Sequence, residues 1–398
     1  MGSVLLRNGR AMHLDGLRHG AAIDLGIGAD GRVASASPPA ARPAPRDAVP
    51  LAADFERVID LAGAWISPAW IDLHVHCYWG ATWLSIRPEL VGPATGVGLA
   101  VDCGSAGEAN FQGFREFIVE RSDFPILAHL NISTIGLVAA NRVCELPGPD
   151  VLDPERTAAC VEANRDLIKG VKVRASKTVL GHWGMTPVHV AKATARALGL
   201  PLVVHIGDAP PTLDELLDLL EPGDMITHCF TGRITNALDR QPGHLRRVRA
   251  RLDEGLWIDV GHGQGSFSYR TARHAIAAGV LPSTISTDLH NGNIAGPVWD
   301  MPTTMSKMLA VGMTVEDAVE RSSAAPARFL RLEGWGRAAA GAPARFTVFD
   351  VAGGEERLPD SYGAVATIRR LFEPRYTVLG AEVRPAGRRT ESGTAASA

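Results

Sequence analysis

The sequence predicts an α/β fold, a (β/α)8 barrel carrying a small β-sandwich domain formed by both termini. Three observations predict it. Between about residues 67 and 336, eight short apolar runs alternate with helical segments, as in βα units that feed a parallel sheet. Strand-like segments lie isolated on either side of that region, and their unpaired edges are covered most economically by one another. Polar residues able to bind a metal end several of the apolar runs, and such barrels build their active sites at the ends of their strands.

In chain order, residues 1–66 hold strand patterns at Val4–Arg7, Ala22–Ile27 and Val58–Leu61, with Ala36–Pro50 reading as an exposed Ala/Pro/Ser-rich loop. The barrel region, 67–336, has strand candidates at 71–76, 97–103, 126–132, 169–175, 201–206, 225–229, 256–261 and 284–288. Helix starts lie between them. Asp153-Pro154 and Thr186-Pro187 each put a capping side chain before a proline, and Thr212 with Glu215 makes a capping box. Thr314 with Asp317 opens a last helix running to about Leu332. Residues 337–385 return to β patterns at 345–350, 365–368 and 375–379, joining 1–66 in the second domain, and 386–398 read as a disordered tail.

Composition narrows the function. With 40 basic against 43 acidic residues the formal charge is -3, which supplies no basic field for nucleic acid or an anionic membrane. The expected partner is a small-molecule substrate, and homo-oligomerisation stays open. No apolar stretch is long enough to span a bilayer and the N-terminus lacks a secretory signal pattern, so a cytoplasmic protein is expected. Five cysteines without CxxC spacing suit thiols in a reducing compartment.

The chemistry-bearing residues follow from the strand ends. In Asp72-Leu73-His74-Val75-His76, strand alternation sets both histidines on one face, able to chelate one ion, with Leu73 and Val75 on the other. Lys172 lies on the fourth strand, His205 and His228 end the fifth and sixth, and Asp288 ends the eighth. A single histidine at a strand end is more often a satisfied core group than a ligand. Their convergence on one rim reverses that expectation. Arg174 and Ser176 share the face of Lys172 and His290 that of Asp288, while His262 and His182 sit in glycine-rich loops, so these five are candidate substrate contacts.

These residues resemble the amidohydrolase superfamily of metal-dependent hydrolases, in its binuclear branch. The block Gly170–Lys177 and the segment His205–Pro210 are similar to its dihydroorotase-like subgroup of amidohydrolase/deacetylase metallohydrolases. The resemblance implies two divalent metal ions, His74, His76 and Asp288 holding one and His205 and His228 the other. It also implies that Lys172 bridges them as a carbamate derived from carbon dioxide, since an ammonium has no lone pair to offer. Nitrogen and oxygen donors without thiolates suit zinc (Zn2+). A metal-bridging hydroxide would then cleave an amide, lactam or ester, with Asp288 as the catalytic proton carrier. The expected substrate is an N-acyl or O-acyl carboxylate. Two departures from the family pattern, Ala69 for a glycine and Ala344-Arg345 for Ala-Asp, touch no proposed ligand.

Two rival readings remain. A mononuclear deaminase of a nucleobase-like heterocycle would share the histidines and Asp288. That class usually has glutamate three residues after the fifth-strand histidine, where this chain has Asp208, and it gives Lys172 no role. A catalytically silent scaffold would have lost ligands that this chain keeps.

Overall fold

The computed structural model describes residues 2–38, 55–140 and 142–389. Five strands come first: β1 (Val4–Ala11), β2 (Ala22–Ile27), β3 (Val33–Ser37), β4 (Arg57–Asp60) and β5 (Trp65–Pro68). Seven barrel strands follow: β6 (Trp70–Val75), β7 (Val97–Cys103), β8 (Ile126–Asn131), β9 (Ile168–Ala175), β10 (Leu202–Ile206), β11 (Met225–Thr227) and β12 (Trp257–Asp259). The chain ends in β13 (Arg345–Pro359), β14 (Val365–Leu379) and β15 (Glu382–Pro385). Ala36 and Ser37, expected in a loop, belong to β3, and 39–50 lie outside the described residues.

Strands β6 to β12 pair in sequence order, every pair parallel. The eighth candidate, 284–288, is an extended segment rather than a regular strand, yet it closes the barrel. On one side Val260 and His262 donate backbone N–H bonds to Thr284 and Ser286, and on the other Asp288 donates to the His74 carbonyl at 2.7 Å. Two features break its ladder. Asp72 takes the Thr287 N–H at 3.0 Å, and Asp288 adopts φ 51°, outside any strand conformation.

Alternation along the strands separates two cores. Residues such as Val171, Val173, Val204 and Ile226 face the surrounding helices, while Leu99, Val101, Leu127, Val203 and Met225 fill the barrel interior. Phe329 joins that interior cluster, its ring packed against Trp257 and His129. The last helix therefore divides. Val315–Glu320 ends, and Ala324–Phe329 begins anew with Pro326 in its first turn, where a missing N–H is tolerated. Asp153, Thr212 and Thr314 cap their helices as expected, but Thr186 is the first residue of its helix and Met185 precedes it without a side-chain cap.

The terminal strands form one mixed sheet in the order β15-β14-β13-β5-β1-β2-β3, with β4 also on β1. Val4, Leu6, Leu25, Ile66, Phe346 and Val348 build its core. Its two longest strands, β13 and β14, make a hairpin that leaves the sheet and runs along the barrel, where β14 packs on the helix Met301–Ala310. The chain beyond Pro385 is held too: Arg388 pairs with Glu356 and Glu373, and the Arg389 N–H bonds Asp300. Residues 386–389 are thus not the start of a free tail, and 390–398 lie outside the described residues.

His129 sits inside the barrel with both ring nitrogens buried and without partners. Burial, then the nearby Lys172 charge, pushes its pKa down to about 3. The unfolded chain binds this proton below the ordinary histidine range and the folded chain does not, so stability falls with pH between about 6.5 and 3. His129→Met should flatten that fall by up to ~1.4 kcal/mol per pH unit relative to the parent, read from denaturation midpoints across the window.

Candidate metal centre

Strand β6 does not alternate as expected. Its pairing with β7 slips between Asp72 and Val75, and Leu73 joins the barrel-interior cluster while Val75 faces the helices. Both histidines nevertheless reach one centre. His74 Nε2 and His76 Nε2 lie 3.3 and 3.2 Å from Asp288 Oδ1, and the three ligand atoms lie within 4.8 Å of one another. His228 Nε2 is 3.9 Å from the other Asp288 oxygen, and the His205 and His228 rings are 4.3 Å apart. Lys172 is buried beside them.

Hydrogen bonds on the outer ring nitrogens decide the tautomers. Thr227 Oγ1 donates to Asp259 at 2.8 Å, so it must accept from His74 Nδ1 at 3.0 Å. His228 Nδ1 lies 2.7 Å from the Gly261 carbonyl, which only accepts. Each Nε2 therefore turns a lone pair inward. Burial holds His74 and His205 well below the ordinary histidine range and His228 at about 4, so the rings stay neutral at neutral pH. Burial alone would raise the Asp288 carboxyl, but the hydrogen bond with His76 and the other histidines packed around it outweigh that and hold it well below the carboxylate range.

At His74 and His228 the consequence is a ring acceptor turned toward a carboxylate acceptor with no proton between them. A neutral imidazole lone pair facing a carboxylate oxygen at 3.3 Å is repulsive, and His228 Nε2 is buried with no hydrogen-bond partner. A divalent cation satisfies both conditions, and the imidazole and carboxylate donor set fits one.

Backbone geometry brings these donors close. His228 and Asp288 are among the few described non-glycine residues at positive φ, 71° and 51°, a conformation held only where surroundings enforce it. Gly263 faces Asp288, where an added Cβ would lie 2.5 Å from Oδ2. Lys172 enters through a similar gap, since a Cβ on Gly104 would meet its Cγ at 2.7 Å. Its Nζ rests 3.1 Å from Cys103 Sγ.

With this geometry in view, the sequence matches the Amidohydrolase family over residues 65–384. The chain belongs to the amidohydrolase family. It is a hydrolase acting on carbon–nitrogen bonds. A deacetylase of Agrobacterium fabrum is 46% identical, the match covering 92% of this chain and 87% of the relative, and a deacetylase of Brucella anthropi is 44% identical, covering 94% and 90%. Among solved structures, one titled as a dihydroorotase superposes with a TM-score of 0.91 at 42% identity, covering 98% of this chain and all of the other. One titled as an adenine deaminase gives 0.84 at 29%, covering 96% and 99%.

The amidohydrolase centre opens into a cavity of about 250 Å³. Of the five expected substrate contacts, Arg174, Ser176 and His290 line it. His182 and His262 do not. His182 is exposed on the short helix Gly181–Trp183, where strand alternation has no say. His262 is buried against Phe267 with its Nε2 3.0 Å from Lys307 Nζ, a structural contact made by residues far apart in sequence. Sequence reasoning missed Arg233 and Gln264, which also line the cavity. Arg233 follows His228 by five residues, so a reading that stopped at the strand end passed it over. Arg174 pairs with buried Glu145 at 3.3 Å and Arg233 with Asp208, leaving both guanidiniums oriented at the cavity wall.

Outer partners of metal ligands tune affinity by about 10–100-fold. Thr227→Val should therefore weaken metal binding by about that factor, because the His74 ring loses the bond that sets its tautomer. Competition against a chelator measures it, with the Asp259→Asn variant showing a smaller loss.

Proposed function

We propose that this amidohydrolase removes acyl groups, acetyl among them, from small N-acyl or O-acyl compounds that carry a carboxylate. The observation that carries the reading is a single small cavity exposing both the inward-facing His/Asp donors and two guanidiniums, Arg174 and Arg233. Arginine suits a planar carboxylate through paired N–H bonds. The names of the relatives from Agrobacterium fabrum and Brucella anthropi support the same reading.

His74, His76 and Asp288 would hold one zinc ion and His205 and His228 a second, with Lys172, as a carbamate, supplying an oxygen to each. When bound, the pair provides a nucleophilic water at neutral pH and polarises the acyl carbonyl. Asp288, ionised for the reasons above, accepts the proton released as water attacks and delivers it to the leaving nitrogen or oxygen as the acyl bond breaks. Arg174 and Arg233 orient the carboxylate, and Ser176 and His290 complete the wall. Burial keeps His290 neutral, its pKa pushed down to about 4, so it offers a hydrogen bond rather than a charge.

A cytoplasmic setting belongs to the same reading, and the five free thiols suit a reducing compartment. The rival deaminase reading draws on the structure titled as an adenine deaminase. Against it, Asp208 is engaged by Arg233.

A panel of N-acetyl and O-acetyl carboxylates, lactams and cyclic ureas, run beside adenine with fully metallated enzyme, tests the proposal. Acid release from the acyl compounds is expected, and ammonia release from adenine alone would replace this reading with deamination. Asp288→Asn keeps one ligand oxygen but cannot take the proton, so kcat should fall by about 10²- to 10⁴-fold while metal content falls less. Lys172→Ala should lose metal and turnover together, with partial recovery on adding short carboxylic acids. Two tightly held ions in that variant would remove Lys172 from the bridge.

A further inference from the structure

The tip of the β13–β14 hairpin, residues 360–364, belongs to the sheet made by the termini yet touches the loops that wall the cavity. Asp360 organises the turn, accepting the N–H groups of Tyr362 and Ala364 at 2.8 and 2.9 Å, and reaches out to the Tyr269 N–H at 3.0 Å. Ser361 donates its N–H to the Phe267 carbonyl and its hydroxyl to the Gly263 carbonyl at 2.8 Å. Tyr362 places its hydroxyl 2.9 Å from the Gly265 carbonyl and 2.8 Å from Thr231 Oγ1. Gly265 can only accept, so the single phenol proton goes there and Thr231 donates to the phenol oxygen. The Tyr362 ring lies over Gly232, where an added Cβ would sit 2.9 Å from it.

These contacts join two loops that arise from different strands. One runs from His228 through Thr231, whose N–H bonds the His228 carbonyl, to Arg233; the other carries Gln264, Gly265 and Ser266. The second loop is rich in glycine, with Gly261 and Gly263 at positive φ, and has little conformational preference of its own. Lys307 fixes its base from behind, donating to His262 Nε2 at 3.0 Å and to the Pro359 carbonyl, at the start of the tip, at 2.8 Å.

We propose that Tyr362, with Ser361, is a positioning residue for substrate recognition: it clamps the loop bearing Arg233 to the loop bearing Gln264, so that the hairpin from the terminal sheet sets the carboxylate-binding wall of the cavity. The proposal rests on the reading of that cavity as the site of acyl-carboxylate hydrolysis. Tyr362 touches neither the metal donors nor the reacting atoms, so its loss acts on binding and spares the chemical step.

Tyr362→Phe removes one oxygen and keeps the ring on Gly232. In the metallated enzyme it should raise KM for an N-acetyl amino acid by about three- to tenfold, the worth of one or two neutral hydrogen bonds, with kcat within about twofold and metal content unchanged. The rise should be smaller for the same compound with its carboxylate converted to an amide, and it should vanish in an Arg233→Ala background. Ser361→Ala, which loosens the same loop at a second point, should repeat the pattern. Equal rises for both compounds, a rise that persists without Arg233, or a joint loss of kcat and metal would overturn the proposal. Amide exchange tests the clamp without any substrate: Tyr362→Phe should speed exchange at 231–236 and 261–267 and leave β6 and β9 alone. Unchanged exchange there refutes the clamp, whereas inert wild-type enzyme with accelerated exchange in the variant overturns the assigned substrate and keeps the clamp.

Discussion

Inside the barrel's C-terminal end, the lone pairs of His74 and His228 point toward the carboxylate of Asp288 across 3.3 and 3.9 Å. Neutral imidazoles and an ionised carboxylate arranged in this way repel one another, and only positive charge placed among them turns the repulsion into attraction. The surrounding structure is arranged to keep these groups in that condition. Asp259 draws the Thr227 hydroxyl proton and so obliges His74 to offer Nε2 inward, and the Gly261 carbonyl does the same for His228. Asp259 also accepts from Thr284 and Ser286, which ties the closing segment of the barrel to the same buried carboxylate.

Holding donors this close has a conformational cost. It is visible in the left-handed backbones of His228 and Asp288 and in the glycines packed against the centre, since side chains at Gly104 or Gly263 would collide with Lys172 or Asp288. Strain of order 1–3 kcal/mol per residue persists only where neighbours over-determine the conformation. Here the neighbours are known: Asp288 is held from both sides, by the His74 carbonyl through its N–H and by Asn293 through its C=O.

The terminal sheet does more than cover its own edges. Its longest hairpin packs along the barrel and ends on the loops beside the cavity, while Arg388 and Arg389 fasten the chain beyond β15 to the hairpin and to Asp300. A barrel whose recognition loops are rich in glycine gains order from an element outside it. This explains why His262, which looked like a substrate contact, instead joins Lys307 and the base of the hairpin.

What was legible in the sequence was whatever strand periodicity controls. Parallel strands in a barrel all end on one rim, so the six polar residues His74, His76, Lys172, His205, His228 and Asp288 could be expected to lie near one another, as they do, and the strand patterns at both ends already called for a shared sheet. Loops obey no such period. His182 fell outside the cavity and Arg233 within it for reasons that no local pattern carries, and the bulge in β6 moved Leu73 inward against the expected alternation. The sequence by itself determined the donor types and the end of the barrel on which they gather. Only the tertiary structure decided the tautomers, the strained backbones and the residues that wall the cavity, because each depends on a partner such as Thr227 for His74, Gly263 for Asp288 or Tyr362 for Gly265 that folding alone brings within reach.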